Sequence, residues 1–285
     1  MIGHTATESI PATPSLADAR HRTAIAHLAR VESFTMLRRL SLWIGLALTL
    51  ASLVVAMRGQ PQSATKYRDL VPLSSFPMTF AMWIVGVRAG HRDRSSRRPS
   101  LADSAPLGGD ERAMARLASL VVPICLVAFV MALFGIASRL EGGFRMGDGS
   151  ARTEGAVHSI FDLLQPPLVV AVVGAAGVAT GRAARWSSPP IVLGLLLLFI
   201  GLGPWWLWNE RYVYATALMQ VQPLEFPERQ LVHAPTVALH DLYLLALVAV
   251  FSGLALRQHP RGRLVGGGAL LAALAVVAQL VVAPF

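Results

Sequence analysis

The chain has 285 residues, of which 54% are hydrophobic and only 14% are charged, whereas a soluble domain carries roughly 25% charged residues. A soluble protein of this length needs more polar surface than so few charged residues can supply. A protein in a bilayer does not need that polar surface, because lipid replaces water around its apolar faces. The net charge of +9 at pH 7 would suit nucleic acid, but in so apolar a chain we interpret it as a topology signal and expect no nucleic-acid partner.

The first 39 residues divide into two parts. Residues 1–19 are small and polar, which predicts a disordered cytoplasmic leader. Residues 20–39 mix apolar and charged side chains at helical spacing, which predicts an amphipathic helix in the cytoplasmic membrane interface, its arginines facing anionic headgroups. An ordinary solvated helix is the alternative. The residues that carry the interfacial prediction are Ile25, Leu28, Arg30, Glu32, Arg38 and Arg39.

Seven apolar runs predict an all-α fold, a polytopic transmembrane helical bundle, because roughly 20 apolar residues cross a bilayer as a helix. They fall within one transmembrane domain, residues 40–285, at about 40–57, 70–87, 117–137, 163–180, 189–208, 239–256 and 264–285. We expect the two prolines of the second run to kink it rather than break it. Pro166–Pro167 is predicted to open the fourth helix and Pro189–Pro190 the fifth, since proline suits a first helical turn.

The distribution of basic residues predicts the orientation. With the N-terminus in the cytoplasm, the inner segments hold 17 of the 25 Lys and Arg residues but only 7 of the 16 acidic ones. Short cytoplasmic loops carry such an excess of positive charge. The chain is therefore predicted to be a multi-pass membrane protein with a cytoplasmic N-terminus.

The sequence lacks the motifs of nucleotide and hydrolytic chemistry. A phosphate-binding loop needs the pattern G-x-x-x-x-G-K-[ST], and the only lysine, Lys66, stands between Thr65 and Tyr67. Neither H-E-x-x-H nor G-x-S-x-G occurs, and Cys125 is the only cysteine. We therefore expect no enzyme, and no catalytic residue, cofactor or metal site in this chain.

Polar and aromatic residues mark the predicted outer surface. A tryptophan cluster ends the fifth run, as is typical of the headgroup region, and residues 138–162 are glycine-rich and predict a flexible outer loop. His240 and Asp241 form a polar pair at the predicted outer end of the sixth span, where water would reach them. We favour a helix-start or interface role for the pair over a proton or substrate role. No acid is expected in the middle of a span, which argues against proton-coupled transport.

The segment between the second and third spans carries a more specific pattern. An arginine cluster precedes Leu101-Ala102-Asp103-Ser104-Ala105-Pro106, and a charged helical run then enters the third span. This pattern resembles the first cytoplasmic loop of ABC-2-type (type V exporter-like) ABC transporter permeases of high-GC Gram-positive bacteria. The resemblance extends to the N-terminal helix and to the long outer insertion between the fifth and sixth spans. The family usually has six spans, and the run after His240 resembles a variant with a seventh. Many relatives have a glutamate directly after the second span; here Asp93 is the nearest acid.

The resemblance implies a permease subunit in the bacterial cell membrane. Its partners would be two copies of an ABC ATPase, which bind ATP and Mg, and a second permease subunit, identical or homologous. The cargo would be lipophilic or amphipathic: a drug, peptide or lipid. The N-terminal helix would also touch the ATPase. The implied ATPase-coupling loop comprises Leu101, Asp103, Ser104, Pro106, Asp110, Glu111 and Arg112. The implied outer gate comprises Trp205, Trp206, Trp208, His240 and Asp241. A secondary transporter and a non-transporting accessory or sensor subunit are the alternatives.

Overall fold

A computed structural model describes most of the chain. The described residues are 16–58, 70–71, 73–95, 107–146, 153–156, 158–184, 186, 188–202, 216–218, 234–256 and 261–282. In chain order they form α1 (Leu16–Leu37), α2 (Leu40–Arg58), α3 (Phe76–Ser95), α4 (Gly109–Ser119), α5 (Val121–Leu140), β1 (Phe144–Met146), β2 (Thr153–Ala156), α6 (Ile160–Ala183), α7 (Ser188–Leu202), α8 (Ala234–Ala255) and α9 (Arg261–Val282).

Five stretches of the described chain are long and apolar enough to cross a membrane, judged by length and composition. They are Leu40–Arg58, Gly109–Leu140, Ile160–Ala183, Pro235–Ala255 and Arg261–Val282. The predicted helical, membrane-type architecture is confirmed at this level, and the count of seven spans stays a prediction. α3 is not among the five because its last turns are charged, and α7 has 15 residues.

The central helix of the bundle is α6, which packs against α3, α5 and α8. Its sequence is almost entirely small or apolar, so it can be surrounded on every side. A Cβ placed on Gly86 of α3 would lie 2.6 Å from the carbonyl oxygen of Gly174, and one on Gly177 would lie 3.0 Å from the carbonyl oxygen of Trp83. The two backbones therefore touch, which is how small residues hold helices together in lipid.

The start of α6 corrects one prediction. The helix begins at Ile160, so Pro166 and Pro167 lie inside it rather than opening it. Ser159 sets the start, because its backbone N–H donates to Oδ2 of Asp162 (2.8 Å) while its hydroxyl accepts from the Asp162 N–H (3.2 Å). By contrast, α7 begins at Ser188, so the pair at 189–190 stands in the first turn, as predicted.

The second predicted run, 70–87, is broken rather than kinked. A turn at Ser75 separates a short helical stretch from α3, and Pro77 stands in the first turn of that helix. α3 then continues to Ser95, so residues 88–95, which we assigned to the inner loop, are helical.

The described chain is almost entirely helical, and the predicted outer loop contains one short hairpin. β1 and β2 form an antiparallel hairpin in which Phe144 faces Ala156 and Met146 faces Thr153. Gly142 and Gly143 precede it with φ angles of 80° and 79°. These left-handed glycines end α5, and the Gly143 N–H donates to the Ser138 carbonyl at 2.7 Å.

The N-terminal helix begins earlier than its predicted start at residue 20. α1 starts at Leu16, so residues 16–19, which were assigned to the disordered leader, are helical. Residues 1–15 lie outside the described part of the chain.

Candidate functional site

A charged cluster joins three helices at one end of the bundle, the end predicted to face the cytoplasm. Glu32 of α1 is 6% exposed although it is ionisable. Its Oε2 accepts a hydrogen bond from Arg92 of α3 (2.7 Å), and its Oε1 lies 3.6 Å from Nε of Arg116 of α4. A buried charge needs such partners. We call Glu32, Arg39, Arg92 and Arg116 the charged cluster.

The cluster contains more positive than negative charge. Arg39, in the link between α1 and α2, is partly buried, and it also experiences the charges of Arg92 and Arg88. Burial first, and then these two neighbours, lower the pKa of Arg39 to about 10, while Glu32 opposes the shift. Glu32 therefore offsets only part of the repulsion among the arginines.

A second ionic contact at the same end connects α4, α6 and α8. Arg182, in the last turn of α6, donates to Asp110 Oδ1 (3.3 Å) in the first turn of α4 and to the carbonyl oxygen of Ala255 at the end of α8. A helix leaves its last carbonyls unsatisfied, and an arginine is a good partner for them. Arg182 thus ties the ends of two bundle helices to the start of α4.

Apolar contacts hold α1 on α4 beside these charges. Leu28 of α1 packs with Leu107 and Ala115 in a small buried cluster. Further along, the Ser119 hydroxyl donates to the Met36 sulfur at 3.5 Å. α1 is therefore attached to the bundle along its length as well as through Glu32.

The predicted interfacial residues lie on different sides of α1. Leu28 and Glu32 are buried, Ile25 and Arg39 are half-buried, and Arg30 and Arg38 are exposed. The apolar side chains of Val31 and Phe34 are 47% and 56% exposed. Apolar and charged residues thus occur on both sides of the helix, and the interfacial position of α1 stays a prediction.

The predicted coupling residues fall into two groups. Asp110, Glu111 and Arg112 form the first turn of α4, where Glu111 Oε2 accepts from the Gly108 N–H (2.6 Å). The two acids stand in the first turn, where the helix dipole favours negative charge. The other four lie outside the described residues: Leu101, Asp103, Ser104 and Pro106.

A polar cluster lies at the opposite end of the bundle, between α6, α8 and α9. His240 of α8 is fully buried and faces the Gln279 side chain of α9 and the backbone of Leu218. Asp241 is 6% exposed, and within the described part of the chain neither of its carboxylate oxygens has a hydrogen-bond partner. The negative charge of Asp162 of α6 acts on it. We call Asp162, His240, Asp241 and Gln279 the polar cluster.

This burial corrects the expectation that water reaches the His240–Asp241 pair. The helix begins at Ala234, five residues before the predicted start, with Pro235 in its first turn. Asp241 therefore stands inside the candidate span Pro235–Ala255, six residues after its first residue, and the absence of an acid from the middle of a span stays a prediction. The other predicted gate residues, Trp205, Trp206 and Trp208, lie outside the described residues.

Sequence reasoning missed the arginines that complete these contacts and the glutamine of the polar cluster. Arg92, Arg116 and Arg182 were counted only as topology signals. The available signal was an isolated polar residue near the end of an apolar run, which describes Arg182 and Gln279. That signal marks a residue for attention but does not identify its partner.

Comparisons with protein families, with curated proteins and with solved structures give no significant match. Within the described part of the chain, no group of three or more His, Cys, Asp or Glu residues is placed to hold a metal ion.

Proposed function

We propose that this chain is the membrane-spanning permease subunit of an ATP-driven exporter whose ATP is hydrolysed by a separate ABC ATPase chain. The observation that carries the proposal is the charged cluster, in which buried Glu32 of α1 contacts arginines of α3 and α4. α4 follows directly on the predicted coupling loop. A permease without a nucleotide site must receive mechanical work through its inner surface, and these contacts would pass a displacement of α1 or α4 into the bundle.

The contacts of Arg182 support the same proposal, because they connect α4 to the ends of two bundle helices, α6 and α8. Asp110 belongs to the predicted coupling residues, and Arg182 connects it to the ends of α6 and α8. A partner that shifts α4 would therefore act on both helices at once.

The proposed assembly contains two ATPase chains and a second permease subunit, identical or homologous, in the cell membrane of a bacterium with the N-terminus in the cytoplasm. Many large apolar side chains of α2, α5 and α9 are exposed on the single chain. They suit contact with lipid or with a second permease. A lipophilic or amphipathic cargo fits passage between such subunits.

The test is co-expression with the ATPase encoded by a neighbouring gene, purification through a tag on this chain, and ATP hydrolysis in lipid nanodiscs. We expect a stable complex, and Glu32→Gln should lower the cargo-dependent stimulation of hydrolysis at least several-fold. Arg30→Gln is the matched control, because Arg30 is exposed on the same helix. A chain that binds no ATPase, or two variants that behave alike, would contradict the proposal.

One observation favours a second function, proton-driven secondary transport. Transporters of that kind place ionisable groups within their spans, and Asp241 occupies such a position. Reconstitution of this chain alone, with a pH gradient and no ATP, separates the two functions. Cargo flux under those conditions would favour the secondary transporter.

A further inference from the structure

We propose that Asp241 is a proton-binding site within the bundle, occupied while α6, α8 and α9 are closed around it and emptied into water when this end opens. Asp241 is seven residues beyond the first residue of α8, which places it about 10 Å along the helix at ~1.5 Å per residue. It therefore lies well inside the candidate span Pro235–Ala255. Asp241 would bind a proton under either proposed function, so the site does not depend on a partner ATPase.

The surroundings of Asp241 supply no compensating positive charge within the described part of the chain. From α6 it meets the negative charge of Asp162. From α9 the neighbouring polar group is the neutral amide of Gln279, which faces His240. On α8 itself, the His240 ring lies 5.5 Å from the ring of Tyr243 and is tilted by 41° to it, and the Tyr243 hydroxyl donates to the Thr216 carbonyl.

The two carboxylates of the cluster differ in their partners. Oδ2 of Asp162 accepts hydrogen bonds from the backbone N–H and the hydroxyl of Ser159, both at 2.8 Å. Among the described residues, none donates a hydrogen bond to either carboxylate oxygen of Asp241. Within the described part of the chain, hydrogen bonds therefore stabilise the negative charge of Asp162 but not that of Asp241. A buried charge without a partner is costly.

A proton is the ligand that fits this position. It needs no cavity, and it removes the charge that the closed bundle does not stabilise. When the end of α8 separates from α6 and α9, water reaches the carboxyl group, its O–H bond breaks, the electron pair stays on the carboxylate and the proton passes to water. Closure requires the reverse step, so a lower pH on that side favours the closed bundle.

The experiment uses the full chain in lipid nanodiscs, with infrared spectra and thermal unfolding measured across the acidic to mildly alkaline range. We expect wild type to show the carbonyl stretch of a neutral buried carboxyl and a Tm that falls as the pH rises. Asp241→Asn, which has nearly the shape of a protonated Asp, should lose that band and at least half of the Tm shift. Asp162→Asn is the matched control and should keep the band.

Several outcomes would overturn the site. Loss of the band in Asp162→Asn but not in Asp241→Asn would assign the proton to the other carboxyl. A band that responds to sodium at fixed pH would make the ligand a metal cation. Wild type without a neutral-carboxyl band at any pH would refute the proposal, even if Asp241→Asn failed to fold.

Discussion

The two ends of the bundle differ in the partners of their buried charged groups, although α6 and α8 contribute to both ends. At one end Arg182 of α6 donates to the last carbonyl of α8 and pairs with the opposite charge of Asp110 of α4. At the other end, among the residues that the structure describes, the charge that acts on Asp241 of α8 is the like charge of Asp162. Separating the helices at the first end breaks strong contacts, whereas separating them at the second relieves a repulsion. Movement of α8 should therefore be greatest at the end that carries the polar cluster.

The largest expected loss of stability comes from disrupting the backbone contact between α3 and α6, the helix that contributes to both ends. In Gly86→Val, the added Cβ would lie 2.6 Å from a backbone oxygen of α6, which cannot move aside as a side chain would. We expect a loss of about 3 kcal/mol or more in unfolding free energy, measured by thermal unfolding in detergent. Gly266→Ala is the control, since nothing lies within 4 Å of its added methyl. Equal stability of the two variants would show that the helices are not in backbone contact.

The second-largest expected loss of stability comes from removing the contacts that Arg182 makes with α4 and α8. Arg182→Met keeps much of the apolar side chain but removes the hydrogen bonds that Arg182 donates to the Ala255 carbonyl and to Asp110. We expect a loss of about 2–3 kcal/mol and faster hydrogen exchange at the end of α8. Arg261→Met, at an exposed position, should change neither quantity. Unchanged exchange at residues 250–255 would mean that Arg182 does not hold the helix end.

A smaller loss should follow from Glu32→Gln. The change removes the charge of Glu32 from Arg92 and Arg116, but Arg92 is 37% exposed and can turn to water. We therefore expect about 1–2 kcal/mol, below the ~3–5 kcal/mol typical of a fully buried pair. The loss should persist at high salt, because Glu32 itself is buried. A loss that salt abolishes would place the pair at the surface.

The smallest expected effect is a gain in stability rather than a loss. Burial and neighbouring arginines lower the pKa of Arg39 to about 10, so its charged form is less favourable in the folded chain than in the unfolded one. Arg39→Gln should then raise the Tm by about 1–2 °C at neutral pH. The gain should shrink as the pH rises from about 10 towards the unfolded value near 12.5, because wild type can then lose the proton in its folded state. A variant that is less stable at neutral pH would mean that Arg39 makes a favourable contact.

The helices themselves were predictable because hydropathy and proline position are local signals. Apolar runs located α2, α5, α6, α8 and α9, and Pro189 marked the first turn of α7. The position of Asp241 was misjudged because the predicted helix started at Leu239, after the proline that belongs to its first turn. The start of α6 was misjudged because Ser159 and Asp162 form a capping box that the prolines obscured.

The clusters were not predictable, since their contacts join residues far apart in sequence. Glu32 and Arg92 are 60 residues apart, and Asp110 and Arg182 are 72. An arginine near a span end has the same local pattern whether it faces a headgroup, a partner chain or a buried glutamate. Only the packing of α1 and α4 on the bundle distinguishes these cases.

The glycine contacts between α3 and α6 limit how such a protein can change shape. Where two backbones touch without a layer of side chains between them, neither helix can rotate or slide without a clash, so the pair must travel as a single rigid unit. α7 belongs to that unit at its start, because Trp83 of α3 donates to the carbonyl oxygens of Pro190 (3.2 Å) and Ile191 (3.3 Å). In the proposed transporter, alternating exposure of a pathway would then come from α8 and α9 swinging relative to this rigid unit.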